Sequence, residues 1–333
     1  MRVSTSSPRW KTSLFALVAI FSVLAVACGT GGGADTPRPS LKASQDVVQS
    51  AASAHITIDF PGATSTFGRD ITPSGDAFVG EYDDAAGRRH GFLMKSGTFT
   101  SIDVPVAVRT EVHGINARGE IVGVYRTGDG VEHGYLQNRD GFMLFDFPDA
   151  TGTSAMGINS RGDIVGGYCD GTVKPCPAEG HRGFLLSDGK FVSIDVPGAS
   201  LTQAWKTNAR GDIVGGYQDK SGLHGFLLIR GVFTPIDFPG VAGTLAFGIN
   251  PRGDIVGSYC NGSSCGIGIN ANHGFLLSDG EFASFDFPDA QATRAFAITP
   301  HGDIAGTYRD SRGRNHGFLI RKEEEEARDD AKD

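Results

Sequence analysis

Four side chains of the 333-residue chain could hold charge or move protons if folding gathers them: Arg69, Glu111, His113 and Lys206. A guanidinium, a carboxylate, an imidazole and an ammonium at one spot would suit a carbohydrate lyase or hydrolase, which needs a base, an acid and a charge clamp. Trp205 and Phe247 add aromatic faces on which sugar rings or peptide side chains can rest, and Asp70 and Arg294 add further charge. These eight residues are the candidate ligand-binding set. The chain contains no Gly-X-Ser-X-Gly elbow, His-Glu-X-X-His helix, phosphate loop or dinucleotide fingerprint. The reading therefore leans to binding over catalysis and names no catalytic residue, metal site or cofactor.

Other residues with chemical potential have structural explanations. Arg-Gly-Asp occurs at Arg161-Gly162-Asp163, Arg210-Gly211-Asp212 and Arg252-Gly253-Asp254, the tripeptide that adhesive proteins offer to receptors. In the equivalent places of other units the Arg becomes Ser74 or His301 while the Gly persists, so an exposed hairpin turn accounts for it. Counting outward from the hairpins puts His90 opposite Asp103, His224 opposite Asp237, His273 opposite Asp286, Arg182 opposite Asp195 and His316 opposite Asp59. Repeated cross-strand pairs of this kind, one with Arg in place of His, fit a structural role better than a metal or acid-base one. Cys169 and Cys176, and Cys260 and Cys265, flank short loops in equivalent places, which points to two local disulfides in an exported protein. The acids of Asp83-Asp84 and Asp310 lack the ligand spacing of a calcium loop.

What must position the eight candidates is a repeat with a period of about 42 to 49 residues, in six copies. Each copy has an extended segment ending in Asp-apolar-Pro, such as Ile58-Asp59-Phe60-Pro61, and then a segment opening on Thr, such as Thr153 to Asn159. A run such as Gly162 to Tyr168 follows, and His-Gly-Phe-Leu closes the unit. Short alternating runs bounded by Gly, Asp, Asn and Pro are strands, and four per unit predict an all-β, six-bladed β-propeller over residues 55–321. Ser187-Asp188-Gly189 and Ser278-Asp279-Gly280 are hairpin turns joining His-Gly-Phe-Leu to the next Asp-apolar-Pro strand. The first strand, near 55–60, and the last, near 316–321, then lack partners and should pair, closing the ring. The Thr-started strand is expected innermost, so the eight candidates, all on it, would form a rim at the channel mouth.

The two ends carry a different signal. Arg2, Arg9 and Lys11 precede an apolar run from Leu14 to Ala27 that ends at Cys28. At about 14 residues the run is short for a membrane span and suits an export leader over 1–27. Leu24 to Cys28 resembles a lipobox, with cleavage by an ordinary signal peptidase near Ala27 as the alternative. Residues 28–54 have the composition of a tether, and the acidic stretch 322–333 that of a disordered tail. A net charge of -8 without a basic run excludes nucleic acid as a partner.

The pattern Ile-Asn-X-Arg-Gly-Asp-Ile-Val-Gly followed by His-Gly-Phe-Leu-Leu, as in Ile158 to Gly166, resembles the bacterial extracellular HAF repeat family over about 55–320. The resemblance implies a secreted, propeller-like repeat protein and supplies no activity or site residues. The sequence thus predicts an exported, lipid-anchored propeller with a monomeric body. Its expected role is a binding module for a glycan, a peptide or an envelope protein. The alternatives are a carbohydrate lyase or hydrolase on the same rim and a purely structural surface protein.

Overall fold

The computed structural model describes residues 54–171, 181–262 and 273–322. The expected leader, the lipidation position Cys28, the tether to residue 53, Cys176, Cys265 and the tail from residue 323 lie outside the described residues.

The described residues form twenty-four strands. They are β1 (Ala54–Ile58), β2 (Ser65–Ile71), β3 (Ala77–Asp83), β4 (Arg89–Lys95), β5 (Thr98–Ile102), β6 (Arg109–Ile115), β7 (Ile121–Arg126) and β8 (Glu132–Asn138). Next come β9 (Gly141–Phe145), β10 (Gly152–Ile158), β11 (Ile164–Cys169), β12 (His181–Ser187), β13 (Lys190–Ile194), β14 (Leu201–Thr207), β15 (Ile213–Gln218) and β16 (Leu223–Ile229). The last are β17 (Val232–Ile236), β18 (Gly243–Ile249), β19 (Ile255–Cys260), β20 (His273–Ser278), β21 (Glu281–Phe285), β22 (Ala292–Ile298), β23 (Ile304–Arg309) and β24 (Asn315–Arg321).

Consecutive strands pair antiparallel into four sheets of four strands and one of eight. The innermost strands β2, β6, β10, β14, β18 and β22 each pack on the next, and β22 packs back on β2, so they enclose a channel. This is a β-propeller. The sequence predicts six separate sheets, whereas β14–β17 and β18–β21 share one through a parallel contact of Leu223 with Gly243. Glycine permits that approach: Gly222 has φ +144°, and a Cβ there would lie 3.3 Å from the Ala242 carbonyl. The expected closure is present, with β1 paired antiparallel to β24 from Ala54 opposite Arg321 to Ile58 opposite Gly317.

Both foreseen hairpins form. Asp188-Gly189 and Asp279-Gly280 take positive φ at both central positions, which matches the twist of the strands they join. Thr recurs at the start of the inner strand for a local reason: Thr66 Oγ1 accepts the Phe60 N–H at 3.0 Å, and the same bond recurs in every unit down to Thr293 with Phe287. The histidines stand opposite their aspartates, with Nδ1 2.7 Å from Asp103 at His90 and 2.8 Å from Asp237 at His224. His316 reaches Asp59 across the closure at 2.9 Å, and His133 pairs with Asp146 in the same way. In the first unit Phe60 stacks on Tyr82 at 3.6 Å, and Tyr82 in turn on His90 at 5.2 Å, so the imidazole caps an aromatic pile. The apolar core lies between neighbouring units, where Phe92, Tyr135, Phe184, Phe226, Phe275 and Phe318 occupy one repeated position with no exposure.

The Arg-Gly-Asp turns are less open than the sequence suggests. The Asn159 side chain accepts the N–H groups of Arg161 and Asp163 and donates to Asp163 Oδ2 and to the Asn208 carbonyl of the next unit. Asn116, Asn208 and Asn250 make the same bond to their next units, so an asparagine belt runs along this face from the second unit to the sixth.

Candidate functional site

The functional geometry begins with a backbone irregularity. In each inner strand the register skips one residue, a β-bulge at Arg69, His113, Met156, Trp205, Phe247 and Phe296. A bulged residue has no partner opposite it and can be re-aimed. Here the six side chains converge on the axis together with Lys206, leaving a gap of about 10 Å³, room for roughly one water. The channel is therefore plugged at mid-depth, and its two sides are separate environments.

Asp70 and Lys206 belong to the side that carries the Arg-Gly-Asp turns. Lys206 Nζ lies 2.6 Å from Asp70 Oδ2, tying the first unit to the fourth across the channel. Asp70 also accepts the N–H groups of Ile71 at 2.9 Å and Ile115 at 2.8 Å. With both side chains buried, this pair is an internal strut rather than part of the rim expected for it. Phe247, 5% exposed, packs between Trp205 and Phe296 at 4.8 Å from each, so it plugs the channel instead of presenting a free platform.

The other side, toward the end of β23 and the start of β4, keeps Arg69, Glu111, His113 and Arg294, in two adjoining groups. The first is acidic. His113 Nε2 lies 3.2 Å from Glu111 Oε2 and 3.7 Å from Glu81 Oε2, while His113 Nδ1 faces the Ala155 carbonyl at 3.3 Å. Arg109 holds Glu111 Oε1, and Arg69 donates to Glu81 Oε1 at 2.6 Å. Burial works to raise the Glu111 carboxyl, but His113, Arg109 and Arg69 outweigh it and hold the group far below the usual carboxylate range.

The second group is basic. A cavity of about 290 Å³ between the first and sixth units is lined by Phe67, Arg69, Arg89, Arg294, Phe296 and Arg309, among others. The aromatic rings serve as rests for cations: Arg69 lies over Phe296 at 4.7 Å and Arg89 over Phe67 at 4.4 Å. Asp83 grips Arg89 at 2.7 and 2.9 Å. Burial, with Arg69 and Arg309 nearby, pushes the Arg294 guanidinium down to about 10.

Sequence reasoning missed Glu81, Arg89, Arg109 and Arg309. Glu81 carried a signal, because it occupies a position that is otherwise Val124, Gly167, Gly216, Ser258 or Thr307, and a charge among such residues is an outlier. The arginines sit at strand ends, where position alone does not separate a lining residue from a solvated one. Cys169 and Cys260 are buried at the ends of β11 and β19. Their expected partners lie outside the described residues.

No family model matches the chain, and no curated protein does. Solved structures resemble it in fold. A putative gluconolactonase is 14% identical, with 82% of this chain and 95% of that one covered and a TM-score of 0.50. AofleA from Arthrobotrys oligospora is 12% identical, with 85% and 91% covered and a TM-score of 0.53. The β-propeller domain of the Trilobed protease from Pyrococcus furiosus is 11% identical, with 78% and 82% covered and a TM-score of 0.51.

Proposed function

We propose that the chain is an exported, lipid-anchored six-bladed propeller of the HAF repeat kind that works as a binding module for an acidic saccharide. The blade count takes the eight-stranded sheet as two blades joined at one contact. The observation that carries the ligand class is the cavity between the first and sixth units. Four arginines face it, two of them lying over aromatic rings, in a protein whose net charge is -8. Guanidinium groups recognise carboxylate and sulfate through paired N–H bonds. A uronate or sulfated sugar would relieve the repulsion that Arg69 and Arg309 impose on Arg294.

The test is a saccharide array carrying uronate, sulfated and neutral sugars, probed with the full chain and with Arg294→Gln. Binding confined to anionic sugars, weakened about tenfold or more in the variant, supports the reading. Equal binding of neutral sugars, or binding only to acidic peptides or an envelope protein, overturns it. One contact favours a second reading, a carbohydrate lyase or hydrolase: Glu111 and His113 converge within hydrogen-bonding reach beside the same cavity. Release of new reducing ends from a uronate polysaccharide, lost in Glu111→Gln, would bring that reading forward. The cysteines complete the proposal, with Cys169 to Cys176 and Cys260 to Cys265 as local disulfides contributing about 2 to 3 kcal/mol each.

A further inference from the structure

We infer that Glu81, Glu111 and His113 form a binding site for one divalent ion of the zinc and manganese class. One ligand atom from each comes together within 4.8 Å of the others. His113 Nε2 stands 3.2 Å from Glu111 Oε2 and 3.7 Å from Glu81 Oε2, which brackets the separation of roughly 3.3 Å between ligands about 2.0 Å from a tetrahedral metal.

Hydrogen bonding around the group points the same way. A carbonyl can only accept, so the 3.3 Å contact with Ala155 assigns a proton to His113 Nδ1 and leaves Nε2, which faces the two carboxylates, as the atom able to ligate. With Nε2 unprotonated, three electron-rich atoms meet, and a divalent cation among them would answer all three. A second proton on His113 would hydrogen-bond Glu111 at 3.2 Å and leave Glu81 Oε2, at 3.7 Å, without a hydrogen bond. Glu81 is fully buried, and among the described residues its Oε2 accepts no hydrogen bond, a costly arrangement for a carboxylate oxygen. A metal ion satisfies all three atoms at once. Each carboxylate is also oriented from behind by an arginine on its other oxygen, Arg69 at Glu81 and Arg109 at Glu111. The imidazole nitrogen selects zinc or manganese over calcium and magnesium, which prefer oxygen alone.

The inference is independent of the saccharide reading, and its test uses metal alone. The full chain is titrated with Mn2+, followed by the loss of free-ion paramagnetic resonance signal, and with Zn2+ in competition. Manganese is chosen because thiolates do not favour it, so the cysteines do not contribute. The expected result is saturation at one Mn2+ per chain, displaced by Zn2+ and not by equal Mg2+. Binding should weaken about tenfold or more in His113→Gln and Glu111→Gln and be unchanged in Asp188→Asn, in a hairpin turn. Because Glu81 is buried, Glu81→Gln is read only if its circular dichroism matches the parent, and His113→Gln carries the decision otherwise. No saturable Mn2+ binding by the parent chain, or binding unaffected by His113→Gln and Glu111→Gln, overturns the inference.

Discussion

Asp163 lies in an Arg-Gly-Asp tripeptide, yet both carboxylate oxygens are engaged, Oδ1 by the Ser187 hydroxyl and Oδ2 by Asn159 and Arg161. The Arg161 side chain is about half exposed and that of Asp163 only 11%, so the tripeptide displays its cation and withholds its anion. Asp163→Ala is expected to cost about 1.5 to 3 kcal/mol in urea unfolding, and Arg161→Ala less than about 1. Burial tends to raise the Asp163 carboxyl, but Ser187, Asn159 and Arg161 bring it below its ordinary value; Ser278, Asn250 and Arg252 do the same for Asp254. A depressed value in the folded chain means stability that is complete above the unfolded pKa of about 3.9 and lost as pH falls through the folded value. Melting temperature should therefore drop below about pH 4. Asp163→Asn and Asp254→Asn should flatten that decline, and a decline untouched by either change would contradict the assignment. The Asp70 and Lys206 pair answers to a different measurement. Lys206→Met leaves Asp70 buried without its cation, at an expected cost of about 3 to 5 kcal/mol. A double-mutant cycle with Asp70→Asn should show strong coupling, whereas additive losses would mean that the strut carries no energy of its own.

Among the elements, the bulged inner strand decides what faces the channel, and a glycine of the neighbouring strand makes room for it. A Cβ on Gly166 would lie 2.0 Å from the Ser154 carbonyl, so Gly166→Ala is expected to destabilise by about 1 to 3 kcal/mol or more, read from the urea midpoint. An unchanged midpoint would mean that the strands separate easily there. Strand order, hairpins and the His-to-Asp register were legible in the sequence because turn glycines and period-two alternation act locally. The bulge was not, because the bulged position runs through Arg69, His113, Met156, Trp205, Phe247 and Phe296, a mixture of charged, apolar and aromatic residues that carries no common turn or bulge signal. Its consequence for the site is direct: Asp70 and Lys206 lie next to Arg69 and Trp205 in the chain but pair with each other toward the Arg-Gly-Asp turns. Glu81 escaped for a related reason, since its strand was read as scaffold and its side chain reaches the site from the second strand of the unit.

On the scale of the molecule, the asparagine belt stops where the ring closes, because Thr72 and Thr299 stand at the positions of the asparagines in the first and sixth units. Other bonds cross there, from Arg321 to the Gly75 carbonyl at 3.2 Å and from Thr307 to the Gly68 carbonyl at 3.0 Å. Of the outermost strands, β1 alone is held without a hairpin linking it to its neighbour, since its partner β24 comes from the other end of the chain. Amide exchange should accordingly be faster over 54–58 than over the equivalent β5, which a fragment-resolved deuterium experiment would detect; equal protection would show that the closure opens no more readily than a hairpin. The antiparallel sense of that closure has a mechanical side. Residue 54 sits beside residue 321, so a pull that separates the two ends loads the paired residues one after another, as a zip is opened, rather than all together in shear. A chain held by its leading end and drawn by a ligand on the channel face would load the same pair first, because β1 carries the tension into the ring and β24 moves with it.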